Sequence, residues 1–241
     1  MEEAYFSQLF TDDITEGMFI FGEVIADSGS FDRDLGPYLS TTSMDFMDFP
    51  LQATIRQAFG FGGSLRSLEN PVFSKGALAG DRAITFTVNH DIPNNDGFRF
   101  MILDPVDEDL AYTYILGRAD GAPHIYSDLG IEDGLREDRW KMAHRDQELW
   151  PKIHFRNLVN GTGQETLFIN DCIYAFRRGD RALVGINKCG EPFQINVDLG
   201  LTSGSYINML NQNQISVASG NQTISIGARS SVMYINQSLL Q

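Results

Sequence analysis

Two acidic side chains stand where apolar runs come to an end. Glu23 follows Met18-Phe19-Ile20-Phe21-Gly22, and Asp91 follows Arg82-Ala83-Ile84-Thr85-Phe86-Thr87-Val88, with Asn89 and His90 just before it. Taking a carboxylate out of water disfavours its charged form and raises its pKa, so such a group is usually paired or put to use. A carboxyl that keeps its proton near neutral pH can deliver it to a leaving atom, while a second one kept ionised steadies developing positive charge. Perturbed groups of this kind gather at functional sites. Two plainer readings stand beside this one: Glu23 as an ion-paired structural carboxylate, and His90-Asp91 as a strand-end cap or turn.

The elements that must hold these residues follow from the periodicity. Met18 to Val24 reads as a strand buried on both faces of a parallel sheet. Ser43 to Asp48 is a weaker strand, Pro50 suits the first turn of a helix from Leu51 to Phe59, and Gly60-Phe61-Gly62-Gly63 ends it. Arg82 to Val88 gives a third strand, Asp107 to Leu116 a helix and Ala122 to Tyr126 a short fourth strand. A further helix is expected from Glu2 to Phe10. Alternation of this kind is parallel α/β architecture, in which loops after the carboxyl ends of strands carry the site. From Glu165 onward, eight short runs separated by Gly, Asn and Asp predict an antiparallel sandwich. The expected division is therefore 1–160 and 161–241.

With 241 residues, 42% of them hydrophobic, the chain can build a core. Lys and Arg number 18 against 32 Asp and Glu, a net charge of −14 without a basic cluster, which argues against a nucleic-acid partner. No apolar stretch approaches the ~20 residues of a membrane-spanning helix, so no membrane partner is expected. The first ten residues lack the features of a secretory leader, so export would need a signal ahead of residue 1. Cys172 and Cys189 flank a hairpin; if its turn centres on Asp180-Arg181 they lie opposite each other, as a disulfide or as a reduced core pair.

Phe21-Gly22-Glu23-Val24 resembles the segment that carries the general acid/base of the α-amylase family, glycoside hydrolase family thirteen, and Thr87-Val88-Asn89-His90-Asp91 resembles that family's motif at the seventh barrel strand. Asp48-Phe49-Pro50-Leu51 is similar to its sixth strand and helix, and Ala122-Pro123-His124-Ile125-Tyr126-Ser127-Asp128 to its eighth strand. Phe176-Arg177-Arg178-Gly179 through Ile186-Asn187-Lys188 resembles the start of its C-terminal β domain.

This resemblance implies the C-terminal half of a (β/α)8 TIM barrel, strands five to eight, followed by an antiparallel β-sandwich. The implied activity is that of a retaining glycoside hydrolase acting on α-1,4-glucans such as starch and maltooligosaccharides. Glu23 would be the general acid/base, Asp91 the transition-state stabiliser, and His90 and Asn89 substrate-binding residues.

The family's nucleophile is an aspartate in a Gly-x-Arg-x-Asp motif on the fourth strand, followed by a Lys-His pair. That arrangement does not occur here, and Asp12 and Asp13 are poor substitutes. The expectation is thus a chain beginning beyond the nucleophile, with a missing N-terminal half as partner and no hydrolysis alone. A non-catalytic or vestigial carbohydrate-binding protein and a same-family transglycosylase are the rivals. No cofactor or metal is expected from this stretch, the family's calcium ligands lying largely in the other half. His124, His144 and His154 lack metal-ligand spacing, and Arg99 is a further possible substrate contact.

Overall fold

A computed structural model describes residues 16–25, 35–127, 140 and 147–240. The helix expected from Glu2 to Phe10, together with Asp12, Asp13 and His144, lies outside them.

Four short strands, β1 (Phe21–Gly22), β2 (Asp45–Met47), β3 (Ala83–Thr85) and β4 (Ala122–Pro123), form a parallel sheet in chain order. Phe46 pairs with Ala83 and Ile84 with Ala122. The first expected strand differs from its prediction: Met18 and Phe19 are 65% and 66% exposed, and Glu23 is exposed as well. Among the described residues β1 is hydrogen-bonded to β2 alone. Burial on both faces belongs to the middle of the sheet, where Phe46, Met47, Ala83, Ile84 and Thr85 are all buried.

Helices α1 (Gly36–Thr41), α2 (Phe49–Phe59), α3 (Pro71–Lys75), α4 (Asp91–Asn94), α5 (Pro105–Gly117) and α6 (Leu149–Leu158) fill the connections. The start of α2 is written in Asp48-Phe49-Pro50. The Asp48 carboxylate accepts from the Leu51 amide at 3.0 Å, and Pro sits where no amide is needed. The other Asp48 oxygen accepts from the Leu78 amide at 3.2 Å, which ties the loop before β3 to the same point. At α5 Asp104 caps in the same way, and Asp107 and Glu108 place negative charge against the helix N-terminus.

The remaining strands are β5 (Gln164–Ile169), β6 (Ile173–Arg178), β7 (Ala182–Asn187), β8 (Phe193–Asp198), β9 (Gly204–Asn208), β10 (Gln214–Val217), β11 (Asn221–Ile226) and β12 (Ser230–Asn236). Six form an antiparallel sheet in the order β10-β9-β12-β7-β6-β5, and β8 and β11 pair as a separate ribbon. Along β6, Ile173 and Ala175 pack in one cluster with Ile195, Ile224 and Ile226 of the ribbon. Tyr174 and Phe176 turn the other way and pack with residues of α5. Both faces are covered, which explains why β6, β7 and β12 are almost wholly buried rather than alternating with polar residues. The ribbon lies close enough that a Cβ on Gly185 would meet Ile226 Cδ1 at 2.7 Å.

At the expected boundary α6 ends at Leu158 and β5 begins at Gln164, and the largest core cluster runs across that point, joining α2, α5 and α6 to β6, β7 and β12. Cys172 and Cys189 are bridged, with Cα atoms 5.4 Å apart. Their expected register is off by one. Ile173 faces Asn187 and Arg178 faces Ala182, so the hairpin centres on Asp180 and the bridge runs diagonally.

Candidate active site

The ends of β1 and β3 converge. Glu23 follows β1 directly, and Asn89, His90 and Asp91 follow β3 at the start of α4. Asn89 is fully buried; its Nδ2 donates to Glu23 Oε1 at 3.0 Å, while its Oδ1 accepts from the amides of Asp91 and Ile92 at 3.2 and 3.1 Å. One side chain therefore both caps α4 and holds the Glu23 carboxylate. Asn89 is expected from the sequence to touch substrate; here its oxygen bonds the backbone, its amide nitrogen bonds Glu23, and it has no exposed surface.

His90 Nε2 lies 3.4 Å from Asp91 Oδ1, and the His90 side chain is exposed. One donor atom each from Glu23, His90 and Asp91 fall within 4.8 Å of one another. The two carboxyl groups thus stand together, with the donor atoms a cation would use, and among the described residues no more buried donor set is assembled around them. Partial burial and the neighbouring negative charge of Asp91 raise the pKa of Glu23, against the opposing effects of His90 and the Asn89 hydrogen bond. His124 comes to the rim of this group, its amide donating to Thr85 O at 2.7 Å as β4 ends. Burial, then the charge of His90, lower its pKa. The sequence offered no periodic or spacing signal for this. Arg99 pairs instead with Asp96 at 2.9 Å on an exposed turn.

No family model matches the chain. It is 43% identical over 196 residues to an α-amylase from Aeromonas hydrophila, an alignment covering 78% of the chain and 42% of that relative. The chain belongs to the α-amylase family. Solved α-amylases share its fold: α-amylase I from Eisenia fetida superposes with a TM-score of 0.70 at 18% identity, over 94% of this chain and 55% of that one. A mutant of the Eisenia enzyme has been solved as a maltohexaose complex. A cyclomaltodextrin glucanotransferase superposes with a TM-score of 0.70 at 20% identity, over 98% and 54%. The chain accordingly spans about half, or less, of the α-amylase relatives it matches.

Against the α-amylase pattern, the bare five-residue form of the nucleophile motif does occur at Gly134-Leu135-Arg136-Glu137-Asp138. It stands after β4 rather than ahead of Glu23, outside the described residues, and no Lys-His pair follows it.

Proposed function

We propose that this chain supplies the acid/base and the stabilising carboxylate of a retaining hydrolase of α-1,4-glucans. The observation that carries the reading is the approach of Glu23 and Asp91 to within 4.8 Å at the carboxyl ends of two parallel strands. Glu23 donates its proton to the glycosidic oxygen as the bond breaks, then takes a proton from the water that completes the cycle. Asp91 accepts hydrogen bonds from sugar hydroxyls and steadies the oxocarbenium-like charge, with His90 beside it on the ring. The electrostatics suit this division. Partial burial first, and then negative charge at Asp91, raises the Glu23 pKa and helps it keep its proton.

The covalent step needs a third carboxylate, for which we propose a polypeptide bearing Gly-x-Arg-x-Asp and the Lys-His pair on a strand beside β1. A sugar hydroxyl replacing water would make the same pair a transglycosylase.

The test compares the purified chain alone with the chain co-eluting with a polypeptide that carries the family's first four strands. Release of reducing ends from soluble starch is expected from the assembly alone. Hydrolysis by the isolated chain that vanishes with Glu23→Gln contradicts the need for a partner. A co-eluting assembly with no activity contradicts the catalytic reading.

A further inference from the structure

Asn160 and Gly161 form the sole Asn-Gly pair in the sequence, and they occupy the tip of the turn that joins α6 to β5. The Thr162 amide donates to Val159 O at 3.1 Å, closing a four-residue turn in which Gly161 takes the third position with a φ of 76°. That hydrogen bond engages the ends of the turn and leaves its middle in solvent. Asn160 and Gly161 are both exposed, and among the described residues the Asn160 side chain takes no hydrogen-bond partner. A Cβ added at Gly161 would meet nothing within 4 Å.

This arrangement has a chemistry of its own. A backbone nitrogen can attack the side-chain amide carbon of an asparagine just before it, and the Cβ of the residue that owns the nitrogen is the usual obstruction. Glycine has none, and its backbone moves freely. An asparagine side chain held by hydrogen bonds could not swing round to meet the nitrogen; that of Asn160 is not held.

The place matters because of what stands on either side. Arg178, 1% exposed, donates through a single nitrogen, Nη2, to Val159 O and to Thr162 O, both at 3.0 Å. Thr162 Oγ1 donates to Val159 O at 2.7 Å, and the Gly179 amide donates to Gly163 O at 2.8 Å. The buried cation therefore straddles the Asn-Gly pair, and the separation of its two acceptors is set by the length of chain between them.

We propose that Asn160 is a site of spontaneous deamidation whose isoaspartyl product loosens the hold of Arg178 on this turn. The Gly161 nitrogen bonds to Asn160 Cγ, its proton leaves with the side-chain nitrogen as ammonia, and a succinimide ring remains. Water then opens the ring at one of its two carbonyls, giving either an ordinary aspartyl linkage or an isoaspartyl linkage with one more carbon in the main chain. The aspartyl product changes charge alone. The isoaspartyl product lengthens the path from Val159 to Thr162, so that one Arg178 nitrogen no longer reaches both carbonyls and a buried charge-assisted bond is lost.

Incubation of the purified chain at mildly alkaline pH, followed by peptide mapping and by urea unfolding of the separated forms, tests this. Deamidation is expected at Asn160 ahead of every other asparagine, at a rate within about tenfold of that in a free peptide spanning Asn157 to Glu165. The isoaspartyl form is expected to unfold at a lower urea midpoint than the unreacted chain, and its Thr162 and Gly179 amides to exchange about tenfold faster or more. Asn160→Asp adds the charge without the extra carbon and is expected to keep most of the midpoint, while Asn160→Gln stays intact through the same incubation. An Asn160 that survives while the free peptide converts overturns the site. An isoaspartyl form with the midpoint and amide exchange of the unreacted chain overturns its link to Arg178, and an equal fall in Asn160→Asp overturns the backbone account in favour of charge.

Discussion

The amide of Asn89 decides how Glu23 faces Asp91. It is fully buried and holds Glu23 from one side while fixing the Asp91 backbone from the other, so the two carboxyl groups act as one electrostatic unit. The signs of its parts are opposite. Asp91 raises the Glu23 pKa and the Asn89 hydrogen bond lowers it, so Asp91→Asn is expected to move the Glu23 titration down and Asn89→Ala to move it up. Carboxyl carbon chemical shifts followed through a pH titration read both directly; a shift of the same sign in both variants contradicts the arrangement.

Asp48 gives a second pH effect, on stability. Burial pushes its pKa up to about 6 from 3.8, in spite of the two amides it accepts from. The unfolded chain therefore releases this proton first as pH rises, and the group's contribution to stability is present at low pH and lost through the folded pKa. The loss is of order 3 kcal/mol between about pH 4 and about pH 6. Urea unfolding across that window is expected to show this slope in the wild type and a flatter one in Asp48→Asn. Equal slopes contradict it.

Glu23 and Asp91 were legible as candidates because each interrupts an apolar run. The exposure of Glu23 was not, because among the described residues it depends on which strand pairs with β1. The place of Asn89 was hidden too: its partners, Glu23 on one side and Asp91 and Ile92 on the other, lie in different parts of the chain.

At the scale of elements, the antiparallel sheet holds the helices by their ends. Arg178, at the close of β6, donates to the carbonyls of Gly117 and Arg118 at the end of α5 and to those of Val159 and Thr162 after α6. Lys188 donates to Ala58, Gly60 and Gly63 at the end of α2. Helix C-termini carry unpaired carbonyls and partial negative charge, so a cation there satisfies both. Arg178 is 1% exposed, and burial followed by the charge of Arg156 pushes its pKa down to about 10. Arg178→Met is expected to destabilise by roughly 3 kcal/mol or more, since several charge-assisted bonds are lost and buried carbonyls are left without donors. Denaturant midpoints at constant m-value measure it, and a change within about 0.5 kcal/mol contradicts the capping role.

Strand positions in this half were read closely from the sequence because turns of Gly, Asn and Asp separate them. What Arg178 does was not, since adjacent Arg177 looks identical in type. Period-two geometry sends Arg177 outward to Glu165 and Arg178 inward to carbonyls distant in sequence.

For the whole molecule, helices α2, α5 and α6 share one core with the antiparallel sheet, while the parallel strands that lead to Glu23 and Asp91 pack in clusters of their own. Parallel order was legible from alternating helices and strands. The shared core was not, because an apolar strand face does not name the helix that will cover it. The resemblance to the α-amylase family and the 43% identity to the Aeromonas enzyme agree on the family.

The role given to Glu23 has the most direct test. In the assembly with the nucleophile-bearing polypeptide, Glu23→Gln should slow starch cleavage by about a thousandfold. With azide present to intercept the glycosyl intermediate, cleavage of an α-maltosyl fluoride should fall far less, because fluoride leaves without a proton and azide attacks without a base. Equal losses on both substrates, or starch cleavage undiminished by Glu23→Gln, would contradict the account.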